Sequence, residues 1–225
     1  MTRDEALARY HPVRAAIRGV QRVPPSPCTR ADWLRPAKLL GLQGERDGEI
    51  ELDEDEFEML TDVALLEPNQ RGNRAYDRFL KEAARTIRPA DQELAQAMGR
   101  AFFSIFRIAG RHEAAGLWLE DLFAGHRRLW MLDEALEASA AEGLHFAARL
   151  FDAGEFHAGF GIIVPLDDES TEEYLGLGLT PQNRHFVPLV YGDTIQGTAF
   201  AELVELVLTL EALAPSQRPR RKRKS

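Results

Sequence analysis

Residues 102–166 read FFSIFRIAGRHEAAGLWLEDLFAGHRRLWMLDEALEASAAEGLHFAARLFDAGEFHAGFGIIVPL. Apolar, branched and aromatic residues recur there at every second position, as side chains do when they alternate between the two faces of a pleated strand. The spacing predicts strands over 103–108, 117–123, 127–132, 144–151 and 155–164, with loops at Gly110, Gly125 and Gly154. Asp152-Ala153-Gly154 suits a tight hairpin turn with its glycine in the left-handed region. At least four of these strands fit a contiguous antiparallel meander, which forms a small antiparallel sheet or a partly closed β-barrel.

Upstream the period is that of helices. Leu7, Ala8, Val13, Ala16, Ile17 and Val20 follow it in part, with Pro12 expected to split this segment into two short pieces. The run Val23-Pro24-Pro25-Ser26-Pro27 reads as a linker, and a short helix over 31–40 ends near Gly41. Asp53-Glu54-Asp55-Glu56 sets carboxylates at the start of a helix that carries Phe57, Leu60, Ala64 and Leu65. Tyr76, Phe79, Leu80 and Ala83 mark the next helix, and Pro89 opens a third with Leu94, Ala97, Met98 and Ala101. Downstream, 167–197 is rich in turn residues. The segment 195–213 then reads as a helix apolar around most of its circumference, to be buried on the sheet or against a second copy. Helices, then strands, then a helix is the segregated order of an α+β fold, with a helical region 1–101, a β-domain 102–214 and a basic tail 215–225.

A chain of 225 residues, 44% hydrophobic, can bury its own core. The single cysteine, Cys28, allows neither an internal disulfide nor a zinc knuckle and fits a reducing compartment. The N-terminal MTRDEALARYHP lacks the apolar stretch of a signal peptide, and no window approaches the ~18 apolar residues of a membrane span, so a cytoplasmic protein is expected. The net charge of −8 is uneven. Arg218, Arg220, Arg221, Lys222, Arg223 and Lys224 fall in the last eight residues, and without these six the chain has 22 basic against 36 acidic residues, a net of −14. Such a block, with Pro215 and Pro219 opposing a helix, is suited to salt-dependent contact with nucleic acid or another polyanion, or to folding back on the acidic segment 45–58.

The motifs of common catalysts are missing. There is no G-x-x-x-x-G-K-[ST] string, Gly176-Leu177-Gly178 lacks the third glycine of a dinucleotide fingerprint, and no G-x-S-x-G elbow occurs. The six histidines never fall within four residues of one another, so no zinc signature arises, and neither a metal nor a cofactor is expected. If 117–123 pairs with 127–132 so that Asp121 faces Leu129 and Leu119 faces Met131, one face carries Trp118, Trp130 and Arg128 beside Glu120. That set is either a stacking platform for bases or ordinary core. An enzyme alternative places an acid and a base among His145, His157, Asp152 and Glu155 around one hairpin. A structural oligomer built on 195–213 is a third reading.

The strings 52–84 (LDEDEFEMLTDVALLEPNQRGNRAYDRFLKEAA), 97–134 and 144–166 resemble the helical-plus-β body of uncharacterised bacterial proteins that often carry a SEC-C zinc motif. The resemblance covers about 52–166 and lacks the cysteine-rich motif itself, and with it the zinc. It implies the fold and a bacterial origin, and no activity. The reading reached is a non-catalytic binding or regulatory protein.

Overall fold

In a computed structural model the chain is described over residues 1–22, 28–42, 52–83, 89–178, 180, 183 and 186–196. Among these are eight helices and five strands, an α+β fold. The helices α1 (Arg3–Arg22), α2 (Arg30–Leu39), α3 (Glu54–Leu66), α4 (Ala75–Ala83) and α5 (Pro89–Gly99) precede β1 (Phe102–Arg111), β2 (Leu117–Asp121) and β3 (Arg127–Met131). After β3 come α6 (Glu134–Ser139), β4 (His145–Asp152), β5 (His157–Leu166), α7 (Asp168–Gly176) and α8 (Phe186–Gln196).

The sheet closes on itself in the order β1-β2-β3-β5-β4. This corrects the expected meander: β4 returns to pair with β1, and the closing seam is the parallel contact Met131↔His157 between β3 and β5. The interior is filled by Phe106, Ile108, Leu117, Leu119, Leu129, Met131, Phe146, Ala148 and Leu150, the inward half of each alternating strand. The β2–β3 ladder pairs Trp118 with Trp130, Leu119 with Leu129 and Glu120 with Arg128. The expected register is therefore displaced by two residues. An even displacement keeps every side chain on its expected face, because the strand period is two.

The helices are specified locally. Asp53 caps α3 by accepting from the Glu56 amide at 2.8 Å while Glu56 accepts from the Asp53 amide at 3.0 Å, and Asp167 caps α7. Pro12 does not split α1, which runs unbroken through it. Ala6, Tyr10 and Ile17 are all buried in one cluster with Phe156, Phe160 and Trp130, and this packing offsets the roughly 3 kcal/mol cost of an interior proline. The segment 167–197, read from sequence as mixed and rich in turn residues, contains two helices, α7 and α8, and α8 buries Phe186, Val187, Leu189, Val190 and Tyr191.

The outer faces of β1, β4 and β5 are covered. Phe103, Ile105, Ala147 and Val164 pack on α2, α3, α7 and α8, while Phe151, Ala158 and Phe160 pack on α1 and its neighbours. A charged knot binds these layers. Arg149 of β4 donates from Nε and Nη2 to Asp62 of α3 at 2.9 Å and from Nη2 to Glu67 at 2.7 Å, and the Tyr191 hydroxyl of α8 donates to Asp62. Burial pushes the Glu67 carboxyl up against the downward pull of Arg149.

Candidate functional site

Among the described residues the helices cover the β2–β3 face least, although Trp130 at its edge packs into the α1 cluster. Outward from β2 point Trp118 and Glu120; outward from β3 point Arg128 and Trp130, with Arg107 of β1 beside them. The Arg128 guanidinium lies over the Trp118 ring, 4.3 Å from its centre, and Arg128 has no ion-pair partner among the described residues. The two side chains thus present a flat cation-and-ring pair to solvent, the geometry on which a planar base stacks.

The structure adds a member that sequence reasoning missed. His112, in the β1–β2 loop, stacks on Trp130 with centres 3.9 Å apart and planes at 5°, and its centre is 4.6 Å from Trp118. Trp130 is consequently 9% exposed, closed in by His112 on one side and Phe156 on another, and its Nε1 donates to the Ala115 carbonyl at 2.7 Å. It supports the platform from beneath; Trp118, Arg128 and His112 form its upper layer. The Ala114 amide donates to His112 Nδ1 at 3.1 Å, which puts the neutral ring's proton on Nε2. Burial lowers the His112 pKa, with nearby Glu113 opposing the shift, so the stacked form is neutral. The shared face of Trp118, Trp130 and Arg128 was visible in the sequence, whereas His112 was not, since a histidine in a loop has no periodicity to mark it.

The loop is held from below. Gly116 has φ of 79°, and a Cβ there would lie 2.2 Å from the Met131 carbonyl oxygen, so only glycine fits. Glu137 of α6 accepts from the Gly116 amide and from Arg3 of α1 at 2.6 and 3.1 Å, contacts that hold its carboxyl below the usual range. Around the platform the charges nearly balance. Arg107 reaches Glu120 at 2.6 Å, His126 approaches the same carboxylate at 3.6 Å, and Arg127 lies 3.6 Å from the buried Asp121, which accepts from Ser104 Oγ at 2.6 Å. Arg107 keeps the Glu120 carboxyl below its ordinary pKa.

The hairpin residues do not assemble. Gly154 takes φ of 105° in the β4–β5 turn, but His157 faces Asp152 at the turn while His145 faces Leu166 at the far end of the ladder. His145 contacts Asp168 at 3.1 Å, Glu155 pairs with Arg9, and the His157 ring packs on Phe102. The four are therefore not gathered in one place; the ladder brings only Asp152 and His157 together. Among the described residues no group of three or more His, Cys, Asp and Glu is gathered as a metal site requires. The basic residues Arg218, Arg220, Arg221, Lys222, Arg223 and Lys224, and all but the first two residues of the helix expected over 195–213, lie outside the described residues.

The five strands close into a barrel in the order β1-β2-β3-β5-β4, with α6 lying between β3 and β4 in the chain. Residues 4–176 match the Family of unknown function (DUF7986), and the chain belongs to that family. No curated protein and no solved structure matches it. No described helix is long and apolar enough to cross a membrane.

Proposed function

We propose that this is a non-catalytic binding protein that takes single-stranded nucleic acid across the open β2–β3 face, with the basic block 218–224 adding electrostatic contacts. The observation that carries the reading is the Trp118–Arg128 pair set on His112 and Trp130, at the barrel face that the described helices cover least. Shape alone is a weak guide to function. The support lies in the chemistry of the platform, because stacking on an aromatic–guanidinium layer is tolerant of base identity and contributes about 1–3 kcal/mol per base.

Arg107 and Arg127 are already engaged by carboxylates, so the face supplies stacking and the tail supplies charge. A dimer through 195–213 would set two such faces in one particle and raise avidity without new contacts. The half-buried Cys28 thiol, whose pKa burial raises to about 11, suits a reducing cytoplasm, where we place the protein. Fluorescence anisotropy with labelled single- and double-stranded oligonucleotides, at low and physiological salt, tests this. The full chain should prefer single strands, and truncation after Pro215 should weaken binding and flatten its salt dependence while keeping that preference. Binding to neither form would end the proposal.

A further inference from the structure

Over β5, α1 and α3 line a cleft of about 440 Å³, within the size range of small-molecule sites. Its floor is made by an irregularity in β5. Ala148 pairs with Ile163 and Leu150 with Gly159, so β5 carries two residues more than β4 over the same span, and Gly161 absorbs the excess at φ of 107°. Phe160 and Ile162, on either side of that glycine, line the cleft, with Phe57 and Leu65 of α3 opposite. Bulges of this kind recur where a strand has to re-aim side chains at a site.

The polar lining is opposed and unclosed. Arg14 and Arg18 stand one turn apart on α1, and Glu54 and Glu58 one turn apart on α3, all four lining the same space, and among the described residues no ion pair joins the two pairs. The Arg14 guanidinium lies against Gly161, about 3.6 Å from where a Cβ would stand. Its Nη1 is buried with no hydrogen-bond partner among the described residues, and so is Thr61 Oγ1 in the wall of the same cleft. Two buried donor-bearing groups without acceptors are costly to the free protein, most of all the charged one.

We propose that this cleft is a binding site for a small zwitterion with an apolar body, of the α-amino-acid type. Its carboxylate accepts from the Arg14 side, with Thr61 within the same wall, its ammonium faces Glu54 and Glu58, and its side chain packs on Phe57, Leu65, Phe160 and Ile162. The site is separate from the β2–β3 platform and does not depend on nucleic-acid binding.

The test is calorimetric titration of the full-length protein with L-leucine and L-phenylalanine, compared with 3-phenylpropionate, which lacks the ammonium, and phenethylamine, which lacks the carboxylate. The amino acids should bind, and each singly charged analogue should bind at least about tenfold more weakly, the loss of one hydrogen-bonded charged group. Arg14→Gln should abolish carboxylate recognition, and Thr61→Val, a near-isosteric change that keeps the fold, should weaken binding several-fold. Both variants should melt at or above the temperature of the free parent, since each removes a buried group without a partner. The proposal is overturned if neither amino acid binds at millimolar concentration, if phenethylamine or phenylpropionate binds as well as phenylalanine, or if both variants bind as the parent does.

Discussion

Gly116 illustrates how a single residue can hold the platform. It satisfies two demands at once, a positive φ and a backbone approach that leaves no room for a methyl group. Gly116→Ala should therefore lower stability by about 1–3 kcal/mol in a urea titration and release His112 from Trp130, seen as a change in tryptophan emission. An unchanged unfolding midpoint would show that the loop can relax. Arg149 is the second decisive residue, one cation shared between Asp62 and Glu67. Arg149→Leu leaves two buried carboxylates unpaired and should cost about 3–5 kcal/mol at neutral pH. Without the guanidinium the downward pull on Glu67 is gone and burial alone acts on its carboxyl, which protonation then relieves. The deficit should shrink between pH 7 and pH 5, and a deficit independent of pH would mean that packing, not charge, is what Arg149 supplies.

At the scale of elements, the strands and most helices were legible because each has one buried face and hence a clear period. The capped start of α3 at Asp53 and the opening of α5 at Pro89 lie where the sequence places them. What was misread has physical causes. Helix α6 is six residues long, too short for a period, and α8 (FVPLVYGDTIQ) is buried nearly all round and rich in strand-favouring residues, so neither pattern nor propensity marks it. The β3–β5 seam depends on one long-range pair, which no local pattern encodes. The platform was half legible: Trp118, Trp130 and Arg128 share a face as read, but the burial of Trp130 under His112 follows from a loop that only the tertiary structure places. The continuity of α1 through Pro12 is a case of packing overriding propensity. Since Pro12 is exposed, Pro12→Ala should restore a helix hydrogen bond without losing contacts and raise stability by about 1–3 kcal/mol, read as a higher melting temperature. A lower one would mean that the proline shapes how α1 seats against Phe156 and Phe160.

For the molecule as a whole, the asymmetry of the barrel's cover organises the account. The described helices sheathe β1, β4 and β5, whereas the outer surface of β2 and β3 is less covered and carries an aromatic–cationic layer whose Trp130 end joins the α1 cluster. The acidic balance of the chain disfavours nucleic acid at long range, so the account needs a short-range attraction, and stacking at Trp118 is that attraction. The direct measurement is titration of the protein truncated after Pro215 with an unlabelled single-stranded oligonucleotide, followed by intrinsic tryptophan fluorescence, alongside the Trp118→Ala and Arg128→Ala variants. Saturable quenching that disappears in Trp118→Ala and weakens about tenfold or more in Arg128→Ala is the predicted result. Binding without quenching, or quenching that survives the loss of Trp118, would contradict the assignment of the β2–β3 face as the binding surface.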